Sequence, residues 1–138
     1  MVPIVIIPGW RDSPPGHWQS LWADQLAGAV RVQQDDWVTP SRSAWVASIA
    51  QTILAQPGPV VIAAHSLGCI ATAHLPPEVT ARIAGAYARA WGSEFVRLQN
   101  AGHINLEAGF GPWSLGFGLL QSLIDEATCL EQTAMAVA

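Results

Sequence analysis

An α/β fold built on a short parallel sheet is what this sequence predicts, and three observations carry that expectation. Two apolar runs, Pro3–Ile7 and Val60–Ala64, have the length and unbroken hydrophobicity of strands buried on both faces. Loops and helical patterns alternate with them along the chain, the order expected of parallel strands joined by crossover helices. Hydrophobic residues make up 51% of the chain and charged residues 12%, which suits a covered sheet better than an open one. At 138 residues this is one domain with one core, assigned here to residues 1–127, with 128–138 expected to fray.

Strand one, at 3–8, leads into the loop Asp12-Ser13-Pro14-Pro15-Gly16. A helix follows at about 17–27, with Trp18, Leu21, Trp22 and Leu26 on one face. Seven tryptophans suggest an aromatic binding box, but the helical spacing of Trp18 and Trp22 favours core. A second strand spans 30–34, and Asp35-Asp36-Trp37 turns the chain into a loop. The next helix is capped by Ser41 or Ser43, buries Trp45, Ile49 and Ile53, and stops at Pro57-Gly58-Pro59 before the strand at 59–64. Further on, Pro76-Pro77-Glu78 reads as a helix start. Val79, Ile83, Tyr87 and Trp91 recur every four residues, and Gly92 offers a stop. The local pattern therefore predicts a helix over 78–91. Four parallel strands result, in the spatial order 30–34, 3–8, 59–64, 95–99, with helices on both faces and a last helix near 112–126.

Several function classes are disfavoured. Six Lys and Arg residues, scattered singly in a chain of formal charge −4, make no footprint for nucleic acid. Pro3–Ile7 is too short to span a membrane, and no basic segment precedes it as in a signal peptide. Cys69 and Cys129 have no metal or redox spacing, and Cys69 is expected to be a small buried hydrophobe. The four histidines, at 17, 65, 74 and 103, form no metal-binding pattern with the acids. A cytoplasmic protein without cofactor or metal is expected, and no protein partner is indicated.

The chemistry concentrates at three places. Val-Val-Ile-Ala-Ala-His-Ser-Leu-Gly, residues 60–68, is a strand that breaks on Ser66 and enters a helix. That is the setting of a nucleophile elbow, in which the residues two before and two after the serine must be small, as Ala64 and Gly68 are. An ordinary turn whose serine caps the helix is the competing reading. His103, in the loop Asn100–Asn105 after a short alternating segment, stands where a hydrolase carries its general base, although a lone histidine more often bonds locally. Pro8-Gly9-Trp10 closes the first strand. The Trp10 N–H could serve as one oxyanion donor and the Leu67 N–H as the other, unless this is a plain turn.

Taken together, Ile-Ile-Pro-Gly-Trp, Gly16-His17-Trp18-Gln19-Ser20, Asp35-Asp36-Trp37, Ala-His-Ser-Leu-Gly and Ala-Gly-His-Ile-Asn resemble the small serine hydrolases of the retinoblastoma-binding-protein type. The resemblance covers residues 3 to about 86 and about 87 to 125. It implies a three-layer α/β-hydrolase-like domain, a small ester or related acyl substrate, Ser66 as nucleophile and His103 as base. It also marks a departure. The family has two more strands before its last helix, and its catalytic aspartate follows the second of them. Here 36 residues separate Ser66 from His103, and none is Asp. The acids in that interval are Glu78 and Glu94. Glu94 and Glu107 are candidates to substitute, but nothing in the sequence sets either beside the imidazole, so the triad acid stays unknown. An internal deletion near 85–87, with 82–86 as the start of a family strand, competes with the local helix.

Overall fold

The computed structural model describes residues 1–83, 96 and 98–137. Its centre is β1 (Ile4–Ile7), four fully apolar residues, all buried. A strand so apolar needs a partner at each edge and a layer over each face, and it has all of these. It pairs in parallel with β2 (Ala29–Arg31) and with β3 (Val61–Ala64), giving the order β2-β1-β3. The registers run from Ile4 opposite Ala29 and Val61 to Ile7 opposite Ala64. Each parallel pair requires a crossover helix. These are α1 (Trp18–Gln25) and α2 (Arg42–Leu54). After β3 come α3 (Leu67–Thr72), the short α4 (Pro77–Thr80) and the long α5 (Ser114–Val137).

Successive side chains of β1 alternate between two clusters, as the period of a strand requires. Val5 and Ile7 meet Trp45, Ile49 and Ile53 of α2, together with Ala71, Leu75 and Val79. Ile4 and Ile6 meet Trp18 and Trp22 of α1 and Leu120, Ile124 and Ala127 of α5. The α2 stripe thus lies where its spacing put it, and Trp18 and Trp22 are core, 3% and 5% exposed. Ser41 occupies the N-cap of α2, although its hydroxyl makes no capping bond there. Among the described residues no helix is long and apolar enough to cross a membrane.

Four expectations need correction. Over the described part of the helix predicted at 78–91, residues 78–83, only the turn Pro77–Thr80 is helical, and by Ile83 the chain lies in a parallel bridge with Val60. The Val60 N–H donates to the Arg82 carbonyl at 2.8 Å, and the Arg82 guanidinium reaches the Gln56 and Gly58 carbonyls. An unpaired β3 edge would leave its N–H groups without partners, and pairing outweighed the local helical pattern. Val79 and Ile83 still share one cluster, so their recurrence marked the core but not the backbone that reaches it. Residues 84–91 lie outside the described residues.

The second correction is to the sheet, which has three strands among the described residues, not four. Val96, Leu98 and Gln99 are in no strand, and Ile83 holds the position beside Val60. Phe95 and Arg97 lie outside the description. The third concerns the stretch 128–138, expected to fray: α5 runs on to Val137. Good helix formers such as Ala, Leu, Glu and Gln extend it past its last buried residue, Ala127, and 132–136 are exposed. Finally, Cys69 is exposed, because α3 turns Gly68, Ala71 and Thr72 inward.

Candidate functional site

The break between β3 and α3 falls on Ser66, which has φ 54° and ψ −125°. A non-glycine residue there costs on the order of 1–3 kcal/mol and persists only where its surroundings enforce it. They do so through close approach. A Cβ on Gly68 would lie 2.6 Å from the carbonyl oxygens of both Ile7 and Pro8, and one on Gly9 would lie 2.8 Å from Ser66 Cβ. The end of β1 and the Ser66 turn therefore touch through two glycines. Ser66 stands at the helix N-cap but makes no capping bond, so the reading of a simple cap fails. Its Oγ lies 2.8 Å from His103 Nε2 instead.

The histidine arrives on an irregular loop. Asn100, Gly102 and Ile104 all have positive φ, and for a β-branched residue such as Ile104 this is a true outlier. Two side chains from the sheet side hold the strained segment. His65 Nε2 lies 2.7 Å from the His103 carbonyl oxygen, and Trp18 Nε1 donates to the Ile104 carbonyl at 3.0 Å. Ile104 itself packs on the Trp18 cluster. The loop brings the imidazole within hydrogen-bonding distance of Ser66.

Burial and neighbouring positive charge set the state of His17 and His65. His17 accepts the Gln19 N–H at Nδ1 and is 3% exposed. Burial first, then His65 and Arg31, push its pKa down to about 4, with Asp12 opposing. His65 is also lowered, chiefly by burial. Both are neutral at pH 7. With Nε2 facing a carbonyl, His65 carries its proton on that nitrogen.

Of the residues proposed for the oxyanion, Trp10 and Leu67 lie on the two segments that touch: a Cβ on Gly9 would be 3.3 Å from the Leu67 nitrogen. Among the described residues neither N–H donates to a backbone carbonyl. The Trp10 indole is turned outward, donating to the Val38 carbonyl and lying under Arg11. Among the described residues no acid is assembled at the imidazole. Among the described residues the one ion pair joins Arg31 to Asp12, and Glu107 is exposed without a bond to His103. Glu94 lies outside the described residues. No group of three or more potential metal ligands occurs among those described. A hollow of about 180 Å³ between α1 and α5, lined by Leu21, Trp22, Trp113 and Phe117 among others, includes neither Ser66 nor His103.

Sequence reasoning assigned no role to Gln19, which is fully buried. Its Nε2 donates to the Ile7 and Ala63 carbonyls at 3.0 and 2.9 Å, and its Oε1 accepts from Ser13 Oγ. It therefore ties the end of β1 to the end of β3, beneath the Ser66 turn. A glutamine three residues before Trp22 on a core-facing helix was the signal. His65 and the Trp18 indole nitrogen left none, because both act on a loop distant in sequence.

A crystal structure of a YdeN-like hydrolase from Pectobacterium atrosepticum aligns with a TM-score of 0.78 and 28% identity, covering 94% of this chain and 92% of that one. No curated protein matches the chain. Residues 4–87 and 79–122 match the serine hydrolase family, and with most of its length so accounted for, the chain belongs to that family.

Proposed function

We propose that this protein hydrolyses a small ester or related acyl substrate through an acyl-enzyme on Ser66. The observation that carries the reading is the 2.8 Å separation of Ser66 Oγ and His103 Nε2, within the reach a nucleophile and its base need. His103 takes the hydroxyl proton at Nε2 as Oγ attacks the acyl carbon, then returns it to the leaving alcohol. The tetrahedral oxyanion is received by the N–H groups of Trp10 and Leu67, each such donor contributing about 10²–10³ in rate. Water, deprotonated by His103, then releases the acid. The half-buried turn at Ser66, with its strained φ, supports a nucleophile-elbow reading.

We read the chain as a shortened member of the retinoblastoma-binding-protein type, acting in the cytoplasm. Two observations support the shortening: the family match comes in two segments that overlap at 79–87, and Ile83 already occupies the edge of β3. A catalytically silent binding role is the second reading. It is favoured by the lack, among the described residues, of a carboxylate on His103. Disabling the triad aspartate costs about 10⁴ in a serine protease, so under the hydrolase reading slow turnover is expected.

A fluorophosphonate probe separates the two. The hydrolase reading expects covalent labelling that is lost in Ser66→Ala and strongly slowed in His103→Ala. Labelling that survives Ser66→Ala removes Ser66 as nucleophile, and a folded wild-type protein that takes no label supports the binding role.

A further inference from the structure

We propose that His65 is a positioning residue for the base: its Nε2–H grips the main-chain carbonyl of His103 and sets where that imidazole stands relative to Ser66. The proposal rests on the hydrolase reading of Ser66 and His103. Three facts carry it. The bond is 2.7 Å long and joins residues 38 apart in sequence, so no local structure supplies it. The loop it grips has positive φ on both sides of His103, at Gly102 and Ile104, a backbone that does not hold itself. Finally, His65 immediately precedes Ser66, so one short segment carries the nucleophile and anchors the base.

The imidazole of His65 is itself held. The rings of His17 and Trp18 meet it edge to face, with centroids at 5.0 and 5.9 Å, and the His103 ring lies at 5.1 Å. A carboxylate on Nδ1 orients a catalytic histidine through its side chain. His65 acts through the main chain of the same residue, leaving Nδ1 of His103 uninvolved. A misplacement of about 1 Å at a reacting group costs on the order of 10² in rate, which is the scale of the effect expected here.

The test compares His65→Phe, which keeps an aromatic ring without a donor, with His65→Gln, which keeps a neutral N–H donor. Fluorophosphonate labelling of Ser66 and the ¹⁵N and ¹H resonances of the His103 ring are followed in the full chain at pH 7.5. The Phe variant is expected to label roughly 100-fold more slowly with shifted His103 resonances, and the Gln variant to recover most of the rate. A Phe variant that labels at the wild-type rate, or a Gln variant no faster than Phe, overturns the proposal. The wild-type ¹⁵N spectrum provides a check that needs no variant to fold: His65 protonated at Nε2 is required, and an Nδ1–H tautomer overturns the contact. If wild type takes no label at Ser66, the hydrolase reading has failed. The positioning contact is then judged by the His103 resonances alone, and their being unchanged in the Phe variant overturns it.

Discussion

Ser66 and His103 meet at 2.8 Å, yet the segments that deliver them are built differently. Ser66 sits between a strand and a helix, and its strained backbone is enforced by main chain packed on main chain at Gly9 and Gly68. His103 lies on a loop with no regular structure, secured by the ring nitrogens of His65 and Trp18. The first arrangement is stiff because a close-packed interior leaves no room to relax. The second depends on a few hydrogen bonds, each worth about 1 kcal/mol net. The nucleophile side should therefore fail through the fold, and the base side through geometry with the fold intact.

The largest effect is expected on the nucleophile side. Gly68→Ala places a methyl 2.6 Å from two carbonyl oxygens, neither of which can move without shifting the end of β1. A stability loss of about 3 kcal/mol, read by chemical denaturation, is expected together with loss of labelling at Ser66. A variant of near wild-type stability would show that the β1–α3 contact is softer than drawn.

Acid provides the next test. His17 is neutral in the fold with a pKa near 4, whereas the unfolded chain protonates it near 6.5. Between those values the unfolded state binds more protons, so stability falls as pH falls from about 6.5 to 4, by roughly 2–3 kcal/mol for this group. The lowered His65 acts in the same direction. His17→Asn retains an acceptor for the Gln19 N–H without the titration, and thermal unfolding at pH 7.5 and 4.5 should show a smaller acid loss. An unchanged acid loss would assign it to other groups.

The smallest effect on stability lies on the base side. Trp18→Phe keeps an aromatic ring in the core but removes the Nε1–H that holds the Ile104 carbonyl. About 1–2 kcal/mol of stability is expected to go, including the indole volume lost. Labelling of Ser66 should slow about tenfold, more than the stability change alone would produce. Equal labelling rates would leave His65 as the working anchor of the loop.

Residue patterns and tertiary context divided the rest between them. The strands at β1 and β3, the stripe Trp45, Ile49, Ile53 on α2, and the order of the first three strands were readable because each expresses a local period facing a core. Ser66 was readable because small residues at 64 and 68 are the steric condition for its turn. His103 was readable only as a polar residue in a loop of the right order. Its distance from Ser66 depends on bonds from His65 and Trp18, 38 and 86 residues away. The segment after Pro77 was misread for the same reason: its spacing is helical, but Ile83 answers the open edge of β3. Local sequence determined which residues face inward and where the chain breaks. Tertiary structure decided how those breaks meet, because an unsatisfied strand edge and a strained loop are resolved only by groups brought near by folding.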